Sequence, residues 1–388
     1  MIQIKDRKQC CGCTACADAC PHGAIDMVPD AMGFLYPRVN SDLCVDCGVC
    51  EGVCAFREQN GPSVLTNPGF GPSREQNEPF LPTNSAWAVR FPEFMDRSQS
   101  GGLGFALMLK AVREGMVVYG AAMGEDFVVR HVRVTEESEL EPLRLSKYVQ
   151  SDMRGIPGQV LKDLKAGLKV LFTGTPCQCA GVGSIAGKYR ENLILMDIVC
   201  HGVPGPEVWK NYLQWQEERN GEKLTGALFR DPQMGWHEHK ETLIFGGKRS
   251  VSSEYTDLFY RHMILRPSCG ACPFASTNRP SDITAADCWG VEKALPGFAD
   301  DNRGCSLMLV NTPEGESFTS SLESERKPLE LESVMQPNLK EPTLLHRLSG
   351  KVEREFKRGG FALISKRHNK QSREYKLEQF IKKVKRHI

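Results

Sequence analysis

Residues 168–181 read LKVLFTGTPCQCAG. Leu168 to Phe172 is a mostly apolar run of strand length ending near Gly174, and a proline- and glycine-bearing stretch follows it. The pattern predicts a buried strand, a loop holding Cys177 and Cys179, and then a short helix. Neighbouring stretches repeat it. Upstream, IPGQVLKDLKAG (156–167) has helical periodicity and closes on Gly167. Downstream, NLILMDIVC (192–200) is a second apolar strand, and HGVPGPEVW (201–209) turns into a helix with prolines near its start. Farther upstream, AWAVRF (86–91) is a short strand, SQSGGLGFALMLKAVREG (98–115) opens into a helix, and MVVYGAAM and FVVRHVRV form a hairpin across Gly124–Asp126. This repetition specifies an α/β domain with a mostly parallel sheet. Ligands of such sheets bind at the carboxyl ends of the strands, and Cys177 and Cys200 both fall at strand ends.

The 388 residues leave room for two or three domains. We divide them at 1–56, 57–85, 86–345 and 346–388. The formal net charge of +1 favours no partner, but Lys351–Ile388 holds 13 Lys/Arg against 4 Asp/Glu. No apolar run approaches the ~18 residues of a membrane-spanning helix. The opening MIQIKDRKQCC lacks the apolar core of a secretory signal. A cytoplasmic location is the expectation. The sixteen cysteines of so large a chain then point to metal rather than disulfides.

Nine of those cysteines precede residue 55. CCGCTACADAC (10–20) and CVDCGVCEGVC (44–54) each contain Cys-x-x-Cys-x-x-Cys-x-x-x-Cys. This is the spacing of bacterial two-cluster ferredoxins, in which the fourth cysteine of each run ligates the other cluster. Cys10, Cys13, Cys16 and Cys54 are the expected ligands of one [4Fe-4S] cluster, and Cys44, Cys47, Cys50 and Cys20 of the other. A zinc ribbon would need paired Cys-x-x-Cys motifs, not three-plus-one runs. Cys11 is surplus. The intervening AIDMVPDAMGFLYPRV reads as a hairpin turning at Asp30–Gly33. The whole forms an α+β ferredoxin-type module. After it, residues 57–85 carry five prolines with many Gly, Asn and Ser, a connector composition.

A second set of thiols lies in three segments: Cys177, Cys200, and the Cys269/Cys272 pair of RPSCGACPF. Four thiols are enough for a third [4Fe-4S] cluster, although isolated cysteines are more often core. Cys179 and Cys288 are the substitutes if one assignment fails, and Cys305 reads as core. Ser100, Gly101 and Gly102 form a Gly-rich turn before a helix, the pattern of a phosphate site or of a plain N-cap. LSKYVQSD (145–152) sets Lys147 among hydroxyls, as a cofactor loop or a solvated one. The small residues of FTGTP let a cofactor approach the backbone.

Taken in order, SGG (100–102), KYVQS (147–151), TGTPCQ (173–178), DIVCHGVP (197–204), LRPSCGAC (265–272) and SDITAADCWG (281–290) resemble the coenzyme F-420 hydrogenase/dehydrogenase beta-subunit family, in the form with an N-terminal two-cluster ferredoxin. The resemblance covers Cys10 to about Gly290. It implies an iron–sulfur flavoprotein that binds FAD, with Ser100, Gly101, Gly102, Lys147, Tyr148, Gln150 and Ser151 at the flavin site and Thr175 and Asp287 beside it. It also implies Cys177, Cys200, Cys269 and Cys272 as ligands of a flavin-proximal cluster. Where the family usually has Gly-Asp-Phe-Trp-Gly, this chain has Ala286-Asp287-Cys288-Trp289-Gly290.

The expected activity couples one-electron transfer through clusters to two-electron chemistry at FAD. Lys147 is the candidate for stabilising charge on reduced flavin, and His201 for relaying protons. The substrate is an unidentified small molecule or a deazaflavin coenzyme. The alternative is a non-catalytic electron-transfer subunit. Either form implies a redox partner protein, a ferredoxin or an oxidoreductase subunit. Nucleic acid is not an expected partner. His237 and His239 are expected on one face of a solvated strand. Residues 366–388 read as a basic helix with an apolar stripe of Tyr375, Leu377, Phe380, Ile381 and Val384, docked on the body or in weak contact with a membrane surface.

Overall fold

The computed structural model describes residues 1–56, 86–370 and 372–377. The expected connector (57–85) and the segment bearing Phe380, Ile381 and Val384 lie outside the described residues.

The N-terminal hairpin forms as expected. Strands β1 (Ile25–Pro29) and β2 (Leu35–Val39) pair antiparallel, Ile25 opposite Val39. Asp30 shapes the turn, its Oδ1 accepting from the Met32 and Phe34 amides at 2.9 and 3.0 Å. Each cysteine run winds into a single helical turn, Ala15–Asp18 and Val49–Gly52, entered through the left-handed residues Thr14 and Gly48. The module is clipped to the rest of the chain. Thr14 Oγ1 donates to the Met153 carbonyl at 2.9 Å, the Gly158 amide to Asp18 at 3.0 Å, and Ser184 Oγ to the Val53 carbonyl at 2.7 Å.

The large sheet has eight strands. In chain order they are β3 (Ala86–Arg90), β4 (Val117–Met123), β5 (Val129–Val134), β6 (Val170–Gly174), β7 (Leu193–Ile198), then β11 (Ile283–Asp287), β12 (Ser306–Val310) and β13 (Glu325–Leu329). The spatial order is β13-β3-β12-β11-β7-β6-β4-β5. Its centre, β4-β6-β7-β11, is parallel, and the strands outside it pair antiparallel. The central strands are apolar on both faces because helices cover both. Val118, Leu171 and Met196 pack with the helix Leu103–Arg113, whereas Val117, Val170, Phe172 and Leu195 face the helices Ile156–Lys165 and Pro176–Ala186.

A second, three-stranded antiparallel sheet, absent from the sequence expectation, joins β8 (Leu224–Leu228), β9 (Glu241–Phe245) and β10 (Lys248–Ser252). Its aromatic core links Trp209, Tyr212, Phe229, Tyr255 and Phe361 across three helices, Pro206–Asn220, Glu254–Tyr260 and Ser349–His368. The helix Ser349–His368 docks through Val352, Phe356, Phe361 and Ile364; of the expected stripe's described residues, Tyr375 packs under the Arg261 guanidinium at 5.0 Å and Leu377 is exposed. The helix kinks at Gly359–Gly360, where a Cβ on Gly360 would lie 2.5 Å from Asn211.

Glu241, with no exposed surface, anchors this subdomain. It accepts from Tyr212 Oη at 3.0 Å, from the Tyr255 and Thr256 amides at 3.0 and 3.2 Å, and from Thr256 Oγ1 at 2.6 Å. These amides open the helix Glu254–Tyr260, so the carboxylate meets its positive end. Glu241→Ala strands four buried donors and is expected to cost about 3–5 kcal/mol. Denaturant unfolding of the variant checks this; a loss below about 1 kcal/mol would contradict it.

Candidate functional site

The eight ferredoxin-type cysteines divide between two small apolar cavities in the crossed pattern. Cys10, Cys13, Cys16 and Cys54 line one with Ile4, Met27 and Phe56. Cys20, Cys44, Cys47 and Cys50 line the other with Met1, Pro21 and Val39. Backbone amides reach the sulfurs, Ile2 to Cys50 and Ala24 to Cys20, both at 3.4 Å. Such N–H···S bonds stabilise thiolate ligands. Cys47 is exposed and is neighboured in sequence by exposed Leu43, Val45 and Val49. Among the described residues, no three His, Cys, Asp or Glu side chains converge as tightly as one metal ion would require. The thiols rim the two cavities.

Cys177, Cys200, Cys269 and Cys272 converge from three segments. Cys177 sits on the first turn of the helix Pro176–Ala186, not in a loop, because Pro176 opens that helix. Cys200 lies two residues past β7, and Cys269 and Cys272 lie on and just after the turn Pro267–Ala271. The Cys200 thiol interacts with Cys269, Cys177 and Cys272, and burial holds it well above its usual range. Burial likewise pushes Cys269 up to about 11 and Cys272 up to about 12. Cys177 is drawn down to about 7, first by its interaction with Cys11, against the opposing effect of burial. Cys11 also interacts with Cys13, so the surplus cysteine stands between the two thiol sets. Neither proposed substitute joins them. Cys179 packs under β6 and β7 with its thiol 3.5 Å from the Met196 carbonyl. Cys288 and Cys305 share an apolar cluster with Trp236 and Leu307, joined by a 2.8 Å backbone hydrogen bond.

A cleft of about 440 Å³ opens at the carboxyl ends of β6, β7 and β11, within the ~300–1,000 Å³ of ligand sites. It is lined by eight sequence-derived residues: Ser100, Gly102, Lys147, Tyr148, Ser151, Thr175, His201 and Asp287. Cys200 lines it too, so the thiol set and the cleft share a wall.

Gly101 and Gln150 fall elsewhere. Gly101 is wedged between strands, where a Cβ would meet the Val89 carbonyl at 2.2 Å and the Ser306 amide at 2.6 Å. Gln150 turns toward the ferredoxin module and donates to the Cys11 carbonyl at 2.7 Å. Ser100 is no helix cap, since its Oγ donates to the Cys305 carbonyl at 2.7 Å. The helix Leu103–Arg113 begins after left-handed Gly102 and has no side-chain cap. Its N-terminus, with Gly102, Leu103 and Gly104, lines the cleft.

Lys147 has its Nζ 2.7 Å from the Arg144 carbonyl, and burial lowers it to about 7. Leu145 beside it is held at φ +67°, a strained conformation for a leucine in the wall of a cleft. The Tyr148 hydroxyl accepts from Tyr260 at 3.1 Å, and Tyr260 in turn bonds His239 at 2.9 Å. His239 thus belongs to the cleft, whereas His237 pairs with Glu292 at 3.0 Å. The expected strand does not form there, because residues 237–239 lie in a loop before β9. Asp287 is paired within the fold by Arg230 at 2.7 Å and accepts a hydrogen bond from Trp236 Nε1 at 2.7 Å. His201 Nε2 lies 2.8 Å from His262 Nε2. Burial, then His262, lower His201 to about 4, so it is neutral at pH 7.

One feature had no local pattern. His131, lowered to about 4 by burial, donates from Nε2 to the Thr173 carbonyl at 2.9 Å and accepts at Nδ1 from Ser151 at 2.8 Å. Ser151 accepts from Gln178 at 2.9 Å, Gln178 accepts from Thr175 at 3.0 Å, and Thr175 Oγ1 lies 3.2 Å from Cys177 Sγ. A buried chain of hydrogen bonds therefore runs from the cleft floor to a converging thiol.

Residues 167–336 match the family described as the C terminus of the coenzyme F420 hydrogenase/dehydrogenase beta subunit, and residues 9–57 match the 4Fe-4S dicluster domain. An uncharacterized ferredoxin of Methanocaldococcus jannaschii is 37% identical over 51 residues, 13% of this chain and 65% of its own length. The chain therefore spans just under two thirds of that relative. A chain of the F420-reducing [NiFe] hydrogenase complex from Methanosarcina barkeri overlaps 76% of this chain and 96% of its own, at 18% identity and a TM-score of 0.46.

Proposed function

Because the chain belongs to the coenzyme F-420 hydrogenase/dehydrogenase beta-subunit family and carries a 4Fe-4S dicluster module ahead of it, we propose that it is an iron–sulfur flavoprotein oxidoreductase. It exchanges single electrons with a redox protein and passes them to a small organic substrate, of which a deazaflavin coenzyme is one form. The carrying observation is the shared wall: Cys200 belongs both to the converging thiols and to the cleft.

The residues present suit FAD. The uncapped start of the helix Leu103–Arg113 offers free amides to a phosphate. Gln99 Oε1 and Arg230 Nε are buried without partners, and both residues line the cleft. Lys147, lowered to about 7 by burial, has no carboxylate in contact among the described residues, and an anion beside it favours its protonated form. When bound, FAD supplies the two-electron step that clusters, moving one electron at a time, do not. Lys147 holds positive charge beside it, and Tyr148 and Trp289 give the cleft aromatic walls. Asp287 and Arg230 fix the opposite wall by neutralising each other. His201 and His262 form a proton path leading away from Cys200. The third cluster is held by Cys177, Cys200, Cys269 and Cys272.

Exposed Cys47 favours a second reading, an electron-transfer subunit whose partner performs the chemistry. Iron, sulfide and flavin analysis of anaerobically purified protein tests the first. About twelve iron and one FAD per chain are expected. About eight iron without flavin would leave only the subunit reading. Reoxidation of the reduced protein by small molecules, with no partner present, then separates the two.

A further inference from the structure

Five arginines are buried among the described residues, and four of them have a carboxylate: Arg90 with Asp301, Arg144 with Glu141, Arg230 with Asp287, and Arg279 with Asp197. Arg266 is the exception. It is 1% exposed, and no carboxylate among the described residues lies within ion-pair distance of it. Its Nε donates to the Cys10 carbonyl at 2.8 Å, Nη1 to Gln150 Oε1 at 2.9 Å, and Nη2 to the Leu35 carbonyl at 2.7 Å. Nη2 also lies 3.6 Å from Cys10 Sγ, and the guanidinium stacks 4.5 Å from the Tyr36 ring. The first cysteine run is shaped around it. Gly12 holds φ +71°, and a Cβ there would lie 2.8 Å from Nη1. Arg266 itself belongs to the segment that carries Cys269, whose amide donates to the Arg266 carbonyl at 3.0 Å.

A buried charge without a partner is costly, and every neutral acceptor here leaves the cation uncompensated. The only anionic chemistry that its contacts supply is thiolate sulfur. We propose that Arg266 is the counter-charge of the cluster held by Cys10, Cys13, Cys16 and Cys54, and that it raises this cluster's reduction potential above that of the cluster held by Cys20, Cys44, Cys47 and Cys50. A cluster gains one negative charge on reduction, so a contacting cation stabilises the reduced state more. The outer cluster, near exposed Cys47, then passes electrons downhill to the inner one. This rests on the dicluster assignment of residues 9–57 alone, not on the flavin.

Potentiometric titration of the anaerobic full-length protein, followed by electron paramagnetic resonance, tests it on Arg266→Gln and Arg266→Lys. In Arg266→Gln the reduced-to-oxidised ratio of the inner cluster at a fixed potential should fall at least ten-fold, which is about 59 mV for a one-electron couple. A second ferredoxin-type component should stay in place, and Arg266→Lys should remain near the parent. Should Arg266→Gln instead purify about four iron short, retention of that iron by Arg266→Lys supports the same role. Unmoved potentials at full iron content, equal shifts of every component, or equal losses in both variants would overturn it. Fewer than about eight iron in the parent chain would instead overturn the dicluster assignment itself.

Discussion

Cys272→Ser is expected to purify with about four fewer iron atoms per chain than the parent, while the ferredoxin-type signals survive. Cys272 shares an apolar cluster with Ala55, Phe56, Cys177, Ala180 and Phe274, at the seam between the N-terminal module and the body. A serine there is nearly isosteric but a poor ligand for iron at neutral pH, so the change removes a donor with little loss of packing. Cys179→Ser is the matched control. That thiol lies two residues from Cys177 on the same helix, yet it faces β6 and β7 and should keep all the iron. Equal iron loss in both variants would mean that the effect is structural and the ligand assignment wrong.

Lys147→Met should abolish the proton uptake that accompanies flavin binding. Burial lowers Lys147 to about 7 from the 10.5 of a free lysine. Between those two values the unfolded chain binds more protons than the folded one. The resulting penalty on the ligand-free fold is absent above pH 10.5, grows as pH falls toward 7, and is constant below that. An anion beside the ammonium raises its pKa again. Flavin binding at pH 8.5 should therefore take up nearly one proton per chain in the parent, read by calorimetry in buffers of different ionisation heat, with tighter binding at pH 7 than at pH 10. The variant should show neither effect and bind at least ten-fold more weakly, about 1.4 kcal/mol. An unchanged affinity and proton count would remove Lys147 from the site.

What the chain discloses in its sequence follows from how local each feature is. The cysteine runs are legible because a cluster ligand set is mostly one short loop, and their crossed fourth cysteines appear in opposite cavities. The parallel core is legible because β6 and β7 are continuous apolar runs. The strands at its margins pair antiparallel for reasons of long-range topology. The helix bearing Cys177 had a local mark that was missed: Pro176 at its start and Thr175 three residues before Gln178, a capping pattern. The small sheet was hidden because β10, KRSVS, is polar and mostly exposed, and β8 is broken by a bulge at Gly226. His131 lies in no motif, and Arg266, though inside LRPSCGAC, carries no local mark of its contact with the first cysteine run. Each gains its meaning from residues dozens to hundreds of positions away.

The bonds that clip the N-terminal module in place, from Thr14, Asp18 and Ser184, change the kinetics of supply. A separate ferredoxin must find its acceptor by diffusion, at a rate that rises with concentration and falls with salt. In the proposed electron path the ferredoxin-type module is instead part of the same chain and hydrogen-bonded to the body, at an effective concentration no dilution can lower. Internal delivery should therefore be first order and indifferent to ionic strength. All sensitivity to salt and protein concentration should reside in the encounter at the outer face around Cys47.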